Sequence, residues 1–252
     1  GGNIAAEAVA RAAPDGHTLL MTTVALAIAP SLYRKLGYDP VKDLVPVSQI
    51  MSTYLVLVTH PSLPPTVKDL IALARSQPGK LNYYHFGNGS GLHLTGEMFR
   101  AAAGIDFTNV VYKGDGDAIP GLLRNDVQMS FLNPTAAVAH VRSGKLRALA
   151  VSGDKRGSVF PDVPTMAELG YPDVNYVGWL GFFAPAGTPR EIINKISAET
   201  QRVVRLPDID DKMPLWGGEG TGTTPEAFAA KYRQDIARYA EIIKRANVPP
   251  AD

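Results

Sequence analysis

The residues predict an α/β protein in two lobes, on three observations. Short apolar runs rich in β-branched and aromatic residues alternate with segments of helical period, the pattern of sheets covered by helices on both faces. At 252 residues the chain is long enough for a large core and for two lobes. Residues 81–99, LNYYHFGNGSGLHLTGEMF, join a buried strand to a glycine-rich turn and a helix start.

That stretch organises the rest. After the aromatic run, Gly87-Asn88-Gly89-Ser90-Gly91 accommodates almost any backbone conformation. Leu92, Gly96, Phe99 and Ala103 then recur at helical spacing, so a helix starts near Ser90. A helix N-terminus behind such a turn gathers unpaired N–H groups around one point, which is an anion site. The glycines by themselves equally describe a tight connection.

From the beginning of the chain, Asn3 can cap a helix whose apolar side is Ile4, Ala8 and Ala12, ended by Pro14-Asp15-Gly16. Residues 17–23 read as a strand, and a Thr/Ala-rich loop leads to Pro30. Residues 44–50 and 54–59 are two extended runs; the second meets His60-Pro61 and Pro64-Pro65, stiff backbone that suits a crossing between lobes. Thr66 with Asp69 starts a helix. Beyond Gly104 come a strand at 107–112, a helix at 117–123, a strand at 127–131, a helix at 135–141 and a strand at 146–152. Thr165 and Glu168 form a capping box closed by Gly170, and 176–184 is an apolar strand that can cross back. Thr188-Pro189-Arg190-Glu191 is a helix start with Thr188 as cap. Thr224-Pro225 starts the last helix, with Phe228, Tyr232, Ile236, Tyr239 and Ile243 on one core-facing stripe. The strand–helix order implies parallel sheets.

Composition excludes several classes. Apolar content of 45% and charged content of 19% are those of an ordinary globular protein. With 25 basic and 24 acidic residues there is no basic stripe for a phosphate backbone, so nucleic acid is not an expected partner. No apolar run approaches a membrane span. Zero cysteines exclude disulfides and thiol catalysis without fixing a compartment. No signal peptide is visible, and the first residue is Gly1, so the start reads as processed or truncated.

Catalytic patterns fail when tested. Around Ser90 the G-x-S-x-G elbow is absent, because Asn88 and Leu92 occupy the glycine positions. Leu92 also breaks G-x-G-x-x-G. Ser152-Gly153-Asp154-Lys155 matches S-x-x-K without its companion motifs. The five histidines show no metal-ligand spacing, and no metal or cofactor is expected. Asp115 and Asp117 can hold a cation but fit a solvated turn better. His93 reads as a packed histidine before it reads as a general base. An enzyme using Ser90 and His93 needs the two within hydrogen-bond reach.

Ala13-Pro14-Asp15-Gly16-His17-Thr18-Leu19-Leu20-Met21, Tyr38-Asp39-Pro40-Val41-Lys42-Asp43, Pro78-Gly79-Lys80-Leu81-Asn82-Tyr83, Gly87-Asn88-Gly89-Ser90, Tyr112-Lys113-Gly114, Gly144-Lys145-Leu146-Arg147-Ala148-Leu149-Ala150-Val151, Pro161-Asp162-Val163-Pro164-Thr165 and Phe183-Ala184-Pro185-Ala186-Gly187-Thr188-Pro189 stand in one ordered series. That series resembles the substrate-binding proteins of tripartite tricarboxylate transporters, the Bug receptors, over essentially the whole chain.

The resemblance implies a bilobal periplasmic binding protein of type II, the Venus-flytrap kind. It would have two three-layer αβα lobes, with parallel or mixed sheets joined by crossing strands. Residues 1–57 and 180–252 would form lobe I, and 58–179 lobe II. It implies a monomeric periplasmic receptor, not an enzyme, that captures a small organic carboxylate in the interlobe cleft and presents it to membrane permease subunits. The ligand-binding residues it implies are Asn88, Gly89, Ser90 and Gly91, with Thr22, Thr23, Tyr112, Leu132, Asn133 and Trp179 on other cleft-facing loops. The effector domain of an anion-sensing regulator is an alternative on the same fold. Three departures stand out. Family members begin with a strand, a glycine-rich loop, a helix and a second strand ahead of Gly1-Gly2, so lobe I would lack a central strand. Leu132 stands where amino-acid-binding relatives carry an aspartate, which points to non-amino carboxylates, because an unpaired ammonium is costly to bury. Tyr84, His85 and Phe86 replace smaller residues and, with Trp179, would give an aromatic-walled pocket, while Tyr84 and Phe86 equally suit the core.

Overall fold

The computed structural model describes residues 2–245 and 248–250. In chain order, α1 (Asn3–Ala10) leads to β1 (Leu20–Thr23), α2 (Ala25–Leu32) and β2 (Leu44–Thr53). Then come β3 (Val56–Thr59), α3 (Val67–Ser76), β4 (Asn82–His85), α4 (Gly91–Ala103), β5 (Thr108–Val111), α5 (Asp115–Leu123), β6 (Met129–Leu132), α6 (Pro134–Arg142) and β7 (Arg147–Val151). The chain closes with β8 (Gly178–Pro185), α7 (Arg190–Val203), α8 (Pro207–Asp210), β9 (Gly218–Gly220) and α9 (Pro225–Arg245).

The chain forms two compact units, one of Gly1–Ser52, Gly178–Met213 and Glu219–Asp252, the other of Thr53–Val177 with Pro214–Gly218. The expected lobe limits, 57/58 and 179/180, lie a few residues C-terminal of these crossings.

The first unit is built on a four-stranded sheet in the order β1-β8-β2-β9, with β1 antiparallel to β8 from Leu20↔Phe183 to Thr23↔Leu180. Its core gathers Trp179, Phe183, Phe228 and Tyr232, with Phe183 and Phe228 ring centroids 5.1 Å apart. Asp235, one turn along α9 from Tyr232, is equally buried, and its Oδ2 accepts the Trp179 indole N–H at 2.8 Å while Lys231 lies 3.1 Å away. A carboxylate therefore interrupts the expected apolar stripe and is satisfied there, which makes its burial tolerable. Packed on α9 is α2, where a loop was expected. Pro30 lies inside this helix and removes one intrahelical bond, but Leu26, Ala27, Ile28, Ala29 and Leu32 are all buried, and that burial outweighs the missing donor.

The second unit holds a five-stranded sheet in the order β5-β4-β6-β3-β7. β4 is parallel to β5 and β6, as strand–helix alternation implies. β3, which enters without a crossover helix of its own, runs antiparallel to β6 and β7, so the sheet is mixed and not wholly parallel. Thr66 caps α3 by accepting the Asp69 N–H at 3.1 Å, as its spacing predicts. Thr165 and Glu168 make the expected reciprocal bonds, 2.6 and 3.0 Å, but they close a turn and not a helix. At α7 the cap position falls to Pro189; Thr188 instead donates its hydroxyl to the Pro185 carbonyl at 2.8 Å. Asn3 likewise lies inside α1, with Gly2 in the left-handed conformation at the cap; Gly1 lies outside the described residues.

Candidate functional site: the glycine loop at the start of α4

β4 ends at His85, Gly87 and Gly89 turn the chain with φ of 97° and 78°, and α4 begins at Gly91. Both angles lie in the region that only glycine adopts at little cost. Ser90 is the N-cap. Its Oγ accepts the His93 N–H at 3.2 Å and donates to the Gly87 carbonyl at 2.9 Å, so the loop is tied to the helix by one hydroxyl. The Ser90 O–H is thereby spent, and the hydroxyl offers an incoming anion no donor.

The loop amides divide into two groups. The Gly87 N–H donates to His85 Nδ1 at 3.0 Å, and the Gly89 N–H to His93 Nδ1 at 3.3 Å. Gly89, expected among the anion-binding residues, thus has its donor engaged inside the protein. The amides of Asn88, Gly91 and Leu92 have no hydrogen-bond partner among the described residues. They sit at the positive end of a 13-residue helix, where the dipole adds to the attraction for an anion. The Tyr176 ring packs against Gly91 so closely that a Cβ there would lie 2.4 Å from the phenol oxygen. Only glycine lets this aromatic side chain close on the helix start.

The other expected site residues are divided between the two units. Thr22 and Thr23 end β1 in the first unit, half-buried and exposed respectively, and Thr23 Oγ1 lies 3.4 Å from the Ala25 N–H. In the second unit Tyr112 stacks edge-on against Tyr84, centroids 5.8 Å apart, and its hydroxyl covers Gly121 of α5. Leu132 is fully buried at the end of β6, opposite Val56, and half-buried Asn133 caps α6 without a side-chain bond. Trp179, expected on a cleft-facing loop, is 1% exposed and packs in the core of the first unit, its indole oriented by Asp235. Tyr84 and His85 are buried as well, so the aromatic wall expected from residues 84–86 is mainly packing, with Phe86 half-buried. Asp115 and Asp117 lie in the first turn of α5, where the helix dipole favours carboxylates.

The chain matches, over residues 1–248, the family described as the tripartite tricarboxylate transporter family receptor. It belongs to that family. Among curated relatives, this receptor is 35% identical to the protein BugT of Bordetella pertussis over 97% of its own chain and 76% of BugT. Among solved structures it superposes on R. palustris Rpa4515 with adipate at a TM-score of 0.91 and 33% identity, covering 99% of this chain and 84% of that one. It matches MatC of Rhodopseudomonas palustris with bound malate at 0.86 and 30% identity, covering 96% and 84%. The receptor therefore has the bilobal α/β fold of the periplasmic binding proteins, as its sequence resemblance implies.

The Ser90/His93 enzyme reading fails on geometry. Ser90 Oγ meets the backbone of His93 and not its ring, and the ring is 4% exposed with Nδ1 occupied by Gly89. Burial, with help from His85 and Arg100, lowers the imidazole pKa to about 4. A ring so placed takes no proton from the serine. Ser152 of the S-x-x-K match is structural too: its Oγ accepts the Leu55 N–H at 3.0 Å and donates to the Tyr176 carbonyl at 2.9 Å.

Proposed function

We propose that this receptor captures a small organic carboxylate without an amino group, a mono- or dicarboxylate or an aromatic acid. We further propose that it acts in the periplasm as a monomer and delivers its ligand to membrane permease subunits of a tripartite tricarboxylate-type transporter. One observation carries the reading: three amides, Asn88, Gly91 and Leu92, have no acceptor among the described residues at the N-terminus of α4, while the Gly87, Gly89 and Ser90 amides beside them are satisfied. A charge-assisted hydrogen bond contributes about 1.5–3 kcal/mol. Three of them, with the helix dipole, reach the roughly 8 kcal/mol of a micromolar complex with little left over for ordering costs. The adipate and malate held by two relatives are ligands of the chemistry such a site takes.

The preference against amino acids follows from Leu132, which supplies no counter-charge where an ammonium group would need one. A thermal-shift panel followed by calorimetry tests the reading. Adipate or malate is expected to raise the melting temperature, and aspartate and glutamate to do so less. A panel in which no carboxylate stabilises the protein would sink the receptor proposal, and one in which aspartate stabilises best would reverse the ligand class.

A further inference from the structure

Two imidazoles accept amides of this loop. His85 ends β4 and His93 lies in the first turn of α4, their ring centroids 4.5 Å apart, with exposures of 2% and 4%. Each accepts one loop amide on Nδ1, from Gly87 at 3.0 Å and from Gly89 at 3.3 Å. Accepting an N–H requires a lone pair on Nδ1, so each ring is neutral with its proton on Nε2. We infer that His85 and His93 are positioning residues: by holding the Gly87 and Gly89 amides they fix the loop in the form that leaves the Asn88, Gly91 and Leu92 amides for a carboxylate. The inference rests on the receptor reading of this loop.

The surroundings keep both rings neutral. Burial pushes both pKa values below the ordinary imidazole range, and Arg100 on α4 acts in the same direction. Glu97, whose Oε1 is 3.9 Å from His93 Nε2, opposes this, but it is shared with Arg100 at 3.6 Å and with the Asn109 amide of β5 at 2.9 Å. Tyr83 on β4, Asp106, 3.9 Å from Arg100, and Tyr176, packed against Gly91, are further titratable groups of this cluster. A buried amide without an acceptor is costly, so losing either imidazole forces the loop to find another partner and change shape. The amide oxygen of asparagine reaches roughly where Nδ1 sits. At position 85 it would accept from the amide two residues on, as in an Asx-turn.

Calorimetry with adipate and malate tests the inference on His85→Asn, His85→Leu, His93→Asn and His93→Leu, together with the nitrogen-15 signatures of both imidazoles in the native protein at pH 7.5. Expected are Nε2–H tautomers for both rings, asparagine variants within about threefold of native affinity, and leucine variants at least about tenfold weaker. Leucine variants that bind as the native protein does, or Nδ1–H tautomers, overturn the inference. If the leucine variants do not fold, the tautomers and the asparagine variants decide it. If the native protein binds no carboxylate, the receptor reading falls by that result alone, and the tautomers decide whether the imidazoles hold the loop.

Discussion

Ser90→Asp puts a fixed negative charge where the ligand's charge is proposed to sit, without removing the cap. Aspartate caps helices as well as serine does, so the His93 N–H, now 3.2 Å from Ser90 Oγ, keeps an acceptor. What is lost is the hydroxyl's 2.9 Å bond to the Gly87 carbonyl, a neutral hydrogen bond of about 1 kcal/mol. A carboxylate at a helix N-terminus returns about 0.3–1 kcal/mol, so the melting temperature should hardly move. Binding is another matter. Two unit charges about 4 Å apart repel by about 4 kcal/mol at the effective dielectric constant of about 20 that suits sites near a protein surface. At about 1.4 kcal/mol per factor of ten, affinity for a dicarboxylate should fall roughly a thousandfold. Ser90→Asn keeps the cap and adds no charge, and should cost no more than about tenfold. Calorimetric titration of both variants with adipate, beside thermal melts, reads these numbers directly. Native-like affinity in Ser90→Asp refutes the anion site. An equal loss in Ser90→Asn refutes the electrostatic argument for it, and a collapse of the melt refutes the capping argument.

Other perturbations have equally definite signs. His93, with a folded pKa of about 4 against 6.5 unfolded, contributes stability that is fully present above 6.5 and is lost as pH falls towards about 4. At 1.36 kcal/mol per unit this amounts to up to about 3 kcal/mol, visible as a flatter urea-stability profile in His93→Asn between pH 7 and 4. Gly96→Ala drives a Cβ to 2.7 Å from the Tyr83 ring, whose hydroxyl is fixed on the Leu92 carbonyl at 2.6 Å. Urea denaturation should show a loss of about 1–3 kcal/mol, and a neutral result would mean the ring can move. Asp235→Leu strands the Trp179 N–H, a buried donor, at about 1–3 kcal/mol. Asp235→Asn keeps an acceptor and should cost less, which tryptophan fluorescence during unfolding separates.

What could be read along the chain was what neighbours in sequence decide. Thr66 with Asp69, and Thr165 with Glu168, announce their bonds because partner and cap lie three residues apart. The Ser90 cap and the left-handed glycines before it were legible for the same reason. Burial against distant segments was not. α2 reads as part of a Thr/Ala-rich loop up to Pro30, while what overrides that local reading, the burial of Leu26, Ala27, Ile28, Ala29 and Leu32 and the packing of α2 on α9, involves residues some 200 positions away that no local pattern reports. Trp179 is placed on a cleft-facing loop by the resemblance alone, with no local pattern that speaks for core or pocket. Its indole N–H had to find Asp235, 56 residues on, before its place in the core made physical sense.

The histidines mark the same boundary inside the site itself. From sequence, His93 was either a core residue or a base, two readings that treat the ring as alone. In three dimensions its Nδ1 meets an amide four residues earlier while β4 brings His85 beside it, and the pair answers a need that the glycine loop creates. A loop that turns through two left-handed residues cannot pair its own amides by regular secondary structure. Whichever donors it satisfies internally are withdrawn from the ligand, and whichever it leaves define the site. The selection of Asn88, Gly91 and Leu92 as the donors without a partner among the described residues is therefore made by where the acceptors His85 Nδ1, His93 Nδ1 and Ser90 Oγ stand, and the proposed anion site is as much the work of these acceptors as of the helix behind it.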